Sequence, residues 1–415
     1  MRVPPIFSAL LCLLTTIFLV VSTRSITAQT SATEAPAAFD SQTNGFITQA
    51  QYDAFKATFE EREEVAQGLG PVYNAQSCAE CHQNPVTGGI SQVTELRAGH
   101  LDDLGNFVDA PGGSLINDRA IFPSLQEFVP YAEKIRTFRT STNTLGNGFV
   151  EAISSWELQD IANAQPGQSG GLIAGQVVYV PVLEAAGPSN YRAGRFGWKN
   201  QHASLLSFSG DAYLNEMGIT STLFPTENTS LGRDVSAYDT VPDPEDPGGT
   251  PDNPSDIDQF TAFMRATKAP PRDRGLAATA DAQAGASLFD QIGCGICHRS
   301  SFTTLPAGEV INQGAFTVPP ALGNKVIHPY SDFLLHDVGT GDGIVQNGGQ
   351  STRNKLRTMP LWGARTRTRH MHDGESLTFR DAILRHGGEA TYVTNNFRAL
   401  AGYQQNQIVT FLKSM

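Results

Sequence analysis

Two pentapeptides constrain this chain more than any other feature: Cys78-Ala-Glu-Cys81-His82 and Cys294-Gly-Ile-Cys297-His298. Both are Cys-x-x-Cys-His, and together they use four of the five cysteines in 415 residues. That spacing lets two thiols add across the two vinyl groups of a haem while the adjacent His, carried on the same turn, reaches the iron as proximal ligand. A thioredoxin-like dithiol, a disulfide framework or a zinc site would employ the cysteines but leave the His after each pair without a reason. The chain must therefore fold around two flat, covalently bound haem c groups. Cys78, Cys81 and His82 hold one; Cys294, Cys297 and His298 hold the other.

Covalent haem attachment belongs to an exported protein, and residues 1–28 read as a signal peptide. Arg2 precedes an uncharged, largely apolar stretch from Ile6 to Val21, shorter than the roughly 20 residues a spanning helix needs. Cys12 follows Leu11 rather than Gly or Ala, so it reads as a small hydrophobe and not as a lipidation site. Processing near Gln29 or Thr33 would leave a periplasmic protein with no stable membrane span.

With 29 Lys plus Arg against 41 Asp plus Glu, the formal charge is −12; an acid excess of this size argues against nucleic acid as a partner. Charged residues are sparse at 17 %, while 40 Gly and 24 Pro call for long ordered loops. The expected fold class is mainly α with long loops and a minor β portion, arranged as two cytochrome c-like haem domains. Helices are expected at Gln51–Val65, Phe149–Ala164 and 255–266, with an amphipathic helical segment in 280–298 that turns at Gly293, a strand at Gln176–Val182 and a closing helix at Tyr403–Lys413. Residues 242–256 contain five Pro and five acids and read as a solvated surface excursion. Residues 269–275 read as a stiff linker, dividing an N-terminal haem domain (45–268) from a C-terminal cytochrome c domain (276–415).

The approach to the second motif, with Gly285, Phe289 and Gly293, resembles the opening helix of a class I cytochrome c. More broadly, the stretches 68–82 (GLGPVYNAQSCAECH), 194–205 (GRFGWKNQHASL), 330–339 (YSDFLLHDVG) and 359–390 (beginning MPLWGARTRTRHMHDGES) closely resemble the di-haem oxidoreductases, also labelled thiol oxidoreductases. These are similar to bacterial di-haem cytochrome c peroxidases and to the MauG group. The resemblance implies a division of labour in which one haem accepts electrons from a small redox protein and the other meets peroxide. It carries the proximal-ligand roles onto His82 and His298.

Sixth ligands are open. His100 lies about where the peroxidases place a displaceable distal His, and is otherwise a surface or hydrogen-bonding residue. Met359 lies about where a cytochrome c returns its Met sulfur, which would raise that haem's potential; otherwise it is a core Met. His372, in His370-Met371-His372-Asp373-Gly374, matches the Tyr-x-His-Asp-Gly segment of the peroxidases, which suggests a ligand, proton-relay or domain-contact role. His100 and His372 are the candidate catalytic residues. His370 and Arg369 replace the Tyr and Pro of that segment, and the change puts the peroxidases' interdomain calcium in doubt here. Asp332, Asp337, Asp342 and Asn347 could bind calcium, although a Gly-rich surface loop explains them as well. His336 with Asp337 could form an inward His with its supporting carboxylate. Trp198 is the best candidate for electron passage between haems; Trp156 and Trp362 read as core or haem-packing aromatics. Arg195, Arg365 and Arg369 are candidate partners for haem propionates, or surface charges.

The leading function is an exported di-haem c-type oxidoreductase with peroxidase-like chemistry. A non-catalytic electron-transfer cytochrome and a MauG-like protein-modifying oxidase use the same haem pair.

Overall fold

The computed structural model describes Met1, residues 31–188 and residues 190–415. The expected signal peptide, Cys12 included, lies almost wholly outside the described residues. Among those described, no helix is long and apolar enough to cross a membrane.

Local sequence signals set the helix ends. Gln49–Glu60 starts at Thr48, whose side chain and that of Gln51 form a reciprocal cap, and it stops before the expected Val65 because the chain turns to extended backbone at Glu61. Ser155–Ser169 is capped by Ser154 and closed by Gly170 at φ 63°; Phe149 belongs to a short separate helix, Asn147–Glu151. Asp256–Ala266 follows a Ser255/Asp258 cap within a residue of the expected range. A further helix, Leu205–Met217, is capped by Ser204 and ended by Gly218.

Helices Ala280–Gln291 and Gly402–Lys413 pack closely. A Cβ on Gly285 would stand 2.0 Å from the Gln407 carbonyl oxygen, so only Gly permits this crossing. Phe289 and Phe411 meet at 5.3 Å between ring centroids beside it. With Ile292, Phe397, Ile408 and Leu412 they form a compact hydrophobic cluster.

The larger core gathers Tyr52, Phe59, Phe149, Phe196, Phe260 and Phe263 together with Phe302, Leu322, Ile327, Phe333 and Trp362. It thus draws on both sides of residues 269–275. The N-terminal strand Thr33–Glu34 lies parallel to Lys325–Ile327.

The minor β portion centres on Thr94–Leu101. This strand pairs antiparallel with Ile135–Thr140 through six residue pairs. Its other edge takes Phe107–Asp109 and Leu115–Ile116. The strand expected at 176–182 is a short Tyr179–Pro181, paired with Tyr191–Ala193. Residues 242–256 are not merely solvated: Asp246 is buried, and its carboxylate accepts from the backbone N–H of Asp256 and Ile257 at the helix start.

Candidate haem sites

Each Cys-x-x-Cys-His segment forms a tight 3₁₀ turn, Cys78–Glu80 and Cys294–Ile296. All four thiols are free and half-buried. Burial pushes Cys81 and Cys294 up to about 12 and raises Cys78 and Cys297 as well. These are protonated thiols, the opposite of the depressed pKa that a redox-active dithiol needs. His82 Nδ1 meets the Gly89 carbonyl at 3.2 Å, and His298 Nδ1 meets the Tyr330 carbonyl at 3.0 Å. Burial lowers both imidazoles, His298 to about 4. A neutral His298 ring donating Nδ1–H to a carbonyl presents a bare Nε2, the form required of a metal ligand, whereas His82 also interacts with the Thr142 backbone.

The second motif opens on a cavity of about 190 Å³. Cys294, Cys297, His298, Met359, His336, His370, His372 and His386 line it, with Phe289, Leu356 and Phe397 as apolar walls. Arg357 and Arg367 also face it. Arg357 is buried and Arg367 half-buried, and desolvation lowers them to about 9 and about 10. Among the described residues neither pairs with a carboxylate, and Arg367 Nη2 has no hydrogen-bond partner. Arg357 donates to the Gly197 carbonyl and the Met359 sulfur. Desolvated, uncompensated cations beside a flat apolar hollow fit a group that carries its own carboxylates, as haem does with its propionates.

The expected propionate partners behave differently. Arg195 is fully buried and spends its guanidinium on the backbone carbonyls of Ala193 and Ile153. Arg365 binds the Met415 carbonyl, and Arg369 the Gly374 carbonyl. Trp156 is 78 % exposed, not a packing aromatic, whereas Trp362 is in the core.

A hairpin-like turn holds the His-Asp-Gly segment. His370 bridges to Ser376, with Met371 at φ 66° and Gly374 at φ 68°. Asp373 anchors the turn by pairing with Arg385, and His372 turns inward with its Nδ1 buried and unpartnered. Burial lowers the His372 pKa, so the ring is neutral. Its backbone carbonyl accepts from Thr140 N at 2.7 Å.

Thr140 also connects to the indole. Trp198 Nε1 donates to the Thr140 carbonyl at 2.7 Å, and its ring meets His372 edge-on at 6.1 Å. The next residue, Ser141, donates to the Cys81 carbonyl at 2.7 Å. A short continuous path thus runs from the first motif through residues 140–141 and Trp198 to the cavity of the second.

His336 takes a different partner from the one the sequence suggested. Its Nε2 faces Asp332 at 2.8 Å and its Nδ1 faces Glu389 at 2.9 Å; Asp337 is not in contact with the ring. Although burial opposes the charge, these carboxylates hold its pKa well above the ordinary His range. An imidazolium has no lone pair for iron, so His336 is a buried cation beside Cys297. The loop does not converge on calcium. Asp332 is committed to His336, Asp342 to Arg139 and Lys199, and Asn347 donates to the Gln201 carbonyl.

His100 lies on Thr94–Leu101, half-exposed, with Nδ1 2.8 Å from Glu133. It does not line the cavity that gathers Met359 and His372. Near the first motif the sequence reading missed a half-buried carboxyl pair, Glu95 and Glu216. Burial and Glu95 push Glu216 up to about 8, while Arg97 helps hold Glu95 below the usual range despite burial. Both carboxyl groups lie near enough to act on Cys81. Their wide separation in sequence left no local signal.

The two Cys-x-x-Cys-His turns, one of them opening on an apolar cavity with unpaired arginines, are the arrangement expected of a two-centre redox protein. The family described as "Di-haem oxidoreductase, putative peroxidase" matches residues 131–415, well over half the chain, and the protein belongs to it. It is accordingly an oxidoreductase of a family that uses two haems. Among proteins of curated function, none matches in sequence. Three solved structures are distantly similar. A Kuenenia stuttgartiensis hydrazine synthase is 14 % identical over 98 % of this chain and 100 % of that one, with TM-score 0.36. A MauG-like protein associated with microbial copper homeostasis is 12 % identical over 93 % of each chain, with TM-score 0.39. The di-haem peroxidase BthA from Burkholderia thailandensis is 14 % identical over 54 % of this chain and 65 % of that one, with TM-score 0.31.

Proposed function

We propose that the protein is an exported, periplasmic peroxidase-like enzyme that passes electrons from a small redox protein to a peroxide. The observation that carries this reading is His298, a half-buried neutral imidazole whose Nδ1 is engaged by the Tyr330 carbonyl and whose Nε2 is left for iron, with His82 its counterpart in the first motif. Cys78 and Cys81, and Cys294 and Cys297, would attach the two haems as thioethers. When bound, the haems supply irons that change oxidation state and, at one of them, a place for a small oxidant.

The chain's own residues supply the remainder. Arg357 and Arg367 would neutralise the propionates of a haem at the second site and would themselves be relieved of an unpaired desolvated charge. Met359, whose sulfur is oriented by the Arg357 N–H at 3.2 Å, would offer a second ligand to a haem held there. Reducing peroxide to water consumes two protons as well as two electrons. Glu216, which burial and Glu95 keep protonated at neutral pH, holds one beside the first site, and the free Nδ1 of His372 can take one up beside the second. Trp198 bridges the sites. His100 is left out of the ligand set because Glu133 holds its ring in a half-exposed ion pair.

The test is to express the protein in a haem-maturing host and measure haem content by pyridine haemochrome, then the spin state and H₂O₂ reactivity of each ferric haem. Two thioether haems, one of them high-spin or becoming so on half-reduction, with peroxide turnover, is the expected result. Two saturated low-spin haems unchanged by half-reduction, with no reaction with H₂O₂, would leave an electron carrier instead.

A further inference from the structure

Five histidines line the cavity of the second motif, and their hydrogen bonds sort them. His298 is the proximal ligand, and His336 carries a charge that leaves it no lone pair. His370 lies against the Phe379 ring at 4.4 Å between centroids, and His372 has its Nδ1 buried and unpartnered. His386 repeats the arrangement of His298. Its Nδ1 stands 2.7 Å from the Ala382 carbonyl, and among the described residues its Nε2 has no hydrogen-bond partner. Burial lowers its pKa, so the ring is neutral. An imidazole that donates Nδ1–H keeps a bare lone pair on Nε2.

Local sequence places this ring. Helix Phe379–Arg385 starts at Thr378, whose side chain accepts from Asp381 N, and His386 closes it with its own N–H on the Ile383 carbonyl. Phe379, Ala382, Ile383 and His386 recur at three- and four-residue spacing, which sets them on one helix face, and all four line the cavity. The chain beyond is held as well: Thr394 Oγ1 donates to the His386 carbonyl at 2.8 Å, and Gly387 N to the Val338 carbonyl at 2.6 Å. A charge on His386 would lower His298, so the two rings lie near one another.

Met359 lines the same cavity, with the Arg357 N–H on its sulfur. The two donors favour different oxidation states. Methionine ligation raises a haem's potential, so it favours the reduced iron relative to imidazole. By the same thermodynamic cycle, reduction shifts a choice between the two toward methionine. We propose that His386 is the axial partner of His298 on the ferric haem of the second site, and that Met359 displaces it on reduction. This rests on the di-haem reading proposed above.

The experiment uses the full-length haem-loaded protein. Magnetic circular dichroism and electron paramagnetic resonance of the oxidised parent should show two nitrogen ligands at the second haem and no sulfur-to-iron charge-transfer band. Proton magnetic resonance of the reduced parent should show the ring-current-shifted methyl group of a bound methionine. His386→Ala, and His386→Met with its bulk retained, should each abolish the two-nitrogen spectrum of the oxidised protein. Each should raise the potential of the second haem by at least about 59 mV, tenfold in relative stability. Met359→Ala should keep the oxidised spectrum of the parent. A sulfur band in the oxidised parent, an oxidised His386→Ala spectrum identical to the parent's, or two nitrogen ligands persisting on reduction overturns the assignment. Haem content tests the reading beneath it: fewer than two thioether haems per chain refutes the di-haem reading and this assignment with it, whereas two haems with any of those spectra overturn the assignment alone.

Discussion

Replacing Asp332 by Asn removes one of the two carboxylates that hold His336 charged, in a place where water cannot substitute. His336 and Asp332 are 2 % and 0 % exposed and 2.8 Å apart. Removing one partner of a buried pair typically costs about 3–5 kcal/mol. Because Glu389 stays on Nδ1 at 2.9 Å, the loss should fall near the lower end, about 3 kcal/mol. The pH dependence is the sharper test. His336 is raised in the folded state, so its contribution is complete below the unfolded value of about 6.5 and fades as pH rises toward the folded value. Asp332 is lowered, mainly by His336 acting against its burial; its contribution is complete above about 4 and fades as pH falls. The difference between parent and Asp332→Asn should therefore be greatest between about pH 4 and 6.5, shrinking above that by up to about 1.4 kcal/mol per pH unit. Urea unfolding of the haem-loaded proteins, followed by far-ultraviolet circular dichroism from pH 5 to 9, measures it. A difference below about 1 kcal/mol that does not vary with pH would refute a charged His336.

Met359→Ala should lower the potential of the second haem by at least about 59 mV, the one-electron equivalent of a tenfold change in relative stability; spectropotentiometry resolves it, and an unchanged potential removes Met359 from the ligand set. Trp198→Phe keeps an aromatic ring but loses the hydrogen bond to Thr140, costing about 1 kcal/mol of stability, and should slow electron equilibration between the haems tenfold or more in stopped-flow traces while haem content stays the same. Gly285→Ala forces the crossing with Gly402–Lys413 apart and should destabilise by about 1–3 kcal/mol in thermal unfolding. Unaltered stability would mean that the helices part freely.

The two Cys-x-x-Cys-His turns were legible because they are contiguous, and the helix at Asp256–Ala266 because its Ser255 cap and apolar spacing are local. The sheet around Thr94–Leu101 was missed because its strongest partner, Ile135–Thr140, arrives about forty residues later and no turn dipeptide announces it. That omission also explains His100, whose distance from His82 suited a ligand until a strand placed it against Glu133. His336 was read as inward-facing, but its carboxylates come from four residues before and from Glu389, which no sequence spacing could single out. Arg357 and Arg367 were passed over for Arg365 and Arg369 because nothing in LRTMPLWGARTRTR distinguishes a buried arginine from an exposed one. Burial is decided by how the segment wraps the cavity.

The pairing of Thr33–Glu34 with Lys325–Val326 spans 292 positions. A chain delivered from its N-terminus presents this strand first, yet its partner comes after more than two thirds of the polypeptide. Phe302, Leu322 and Phe333, which complete the core around Phe59 and Phe149, arrive equally late. Closing such long loops is an entropic cost met only once the distant residues are present. The region that receives the first haem must therefore wait, incompletely packed, for the region that receives the second. Haem attachment at Cys78 and Cys81 would then take place on a still-open segment, so a chain truncated before residue 302 should accumulate as a protease-sensitive species even if its first motif carries haem.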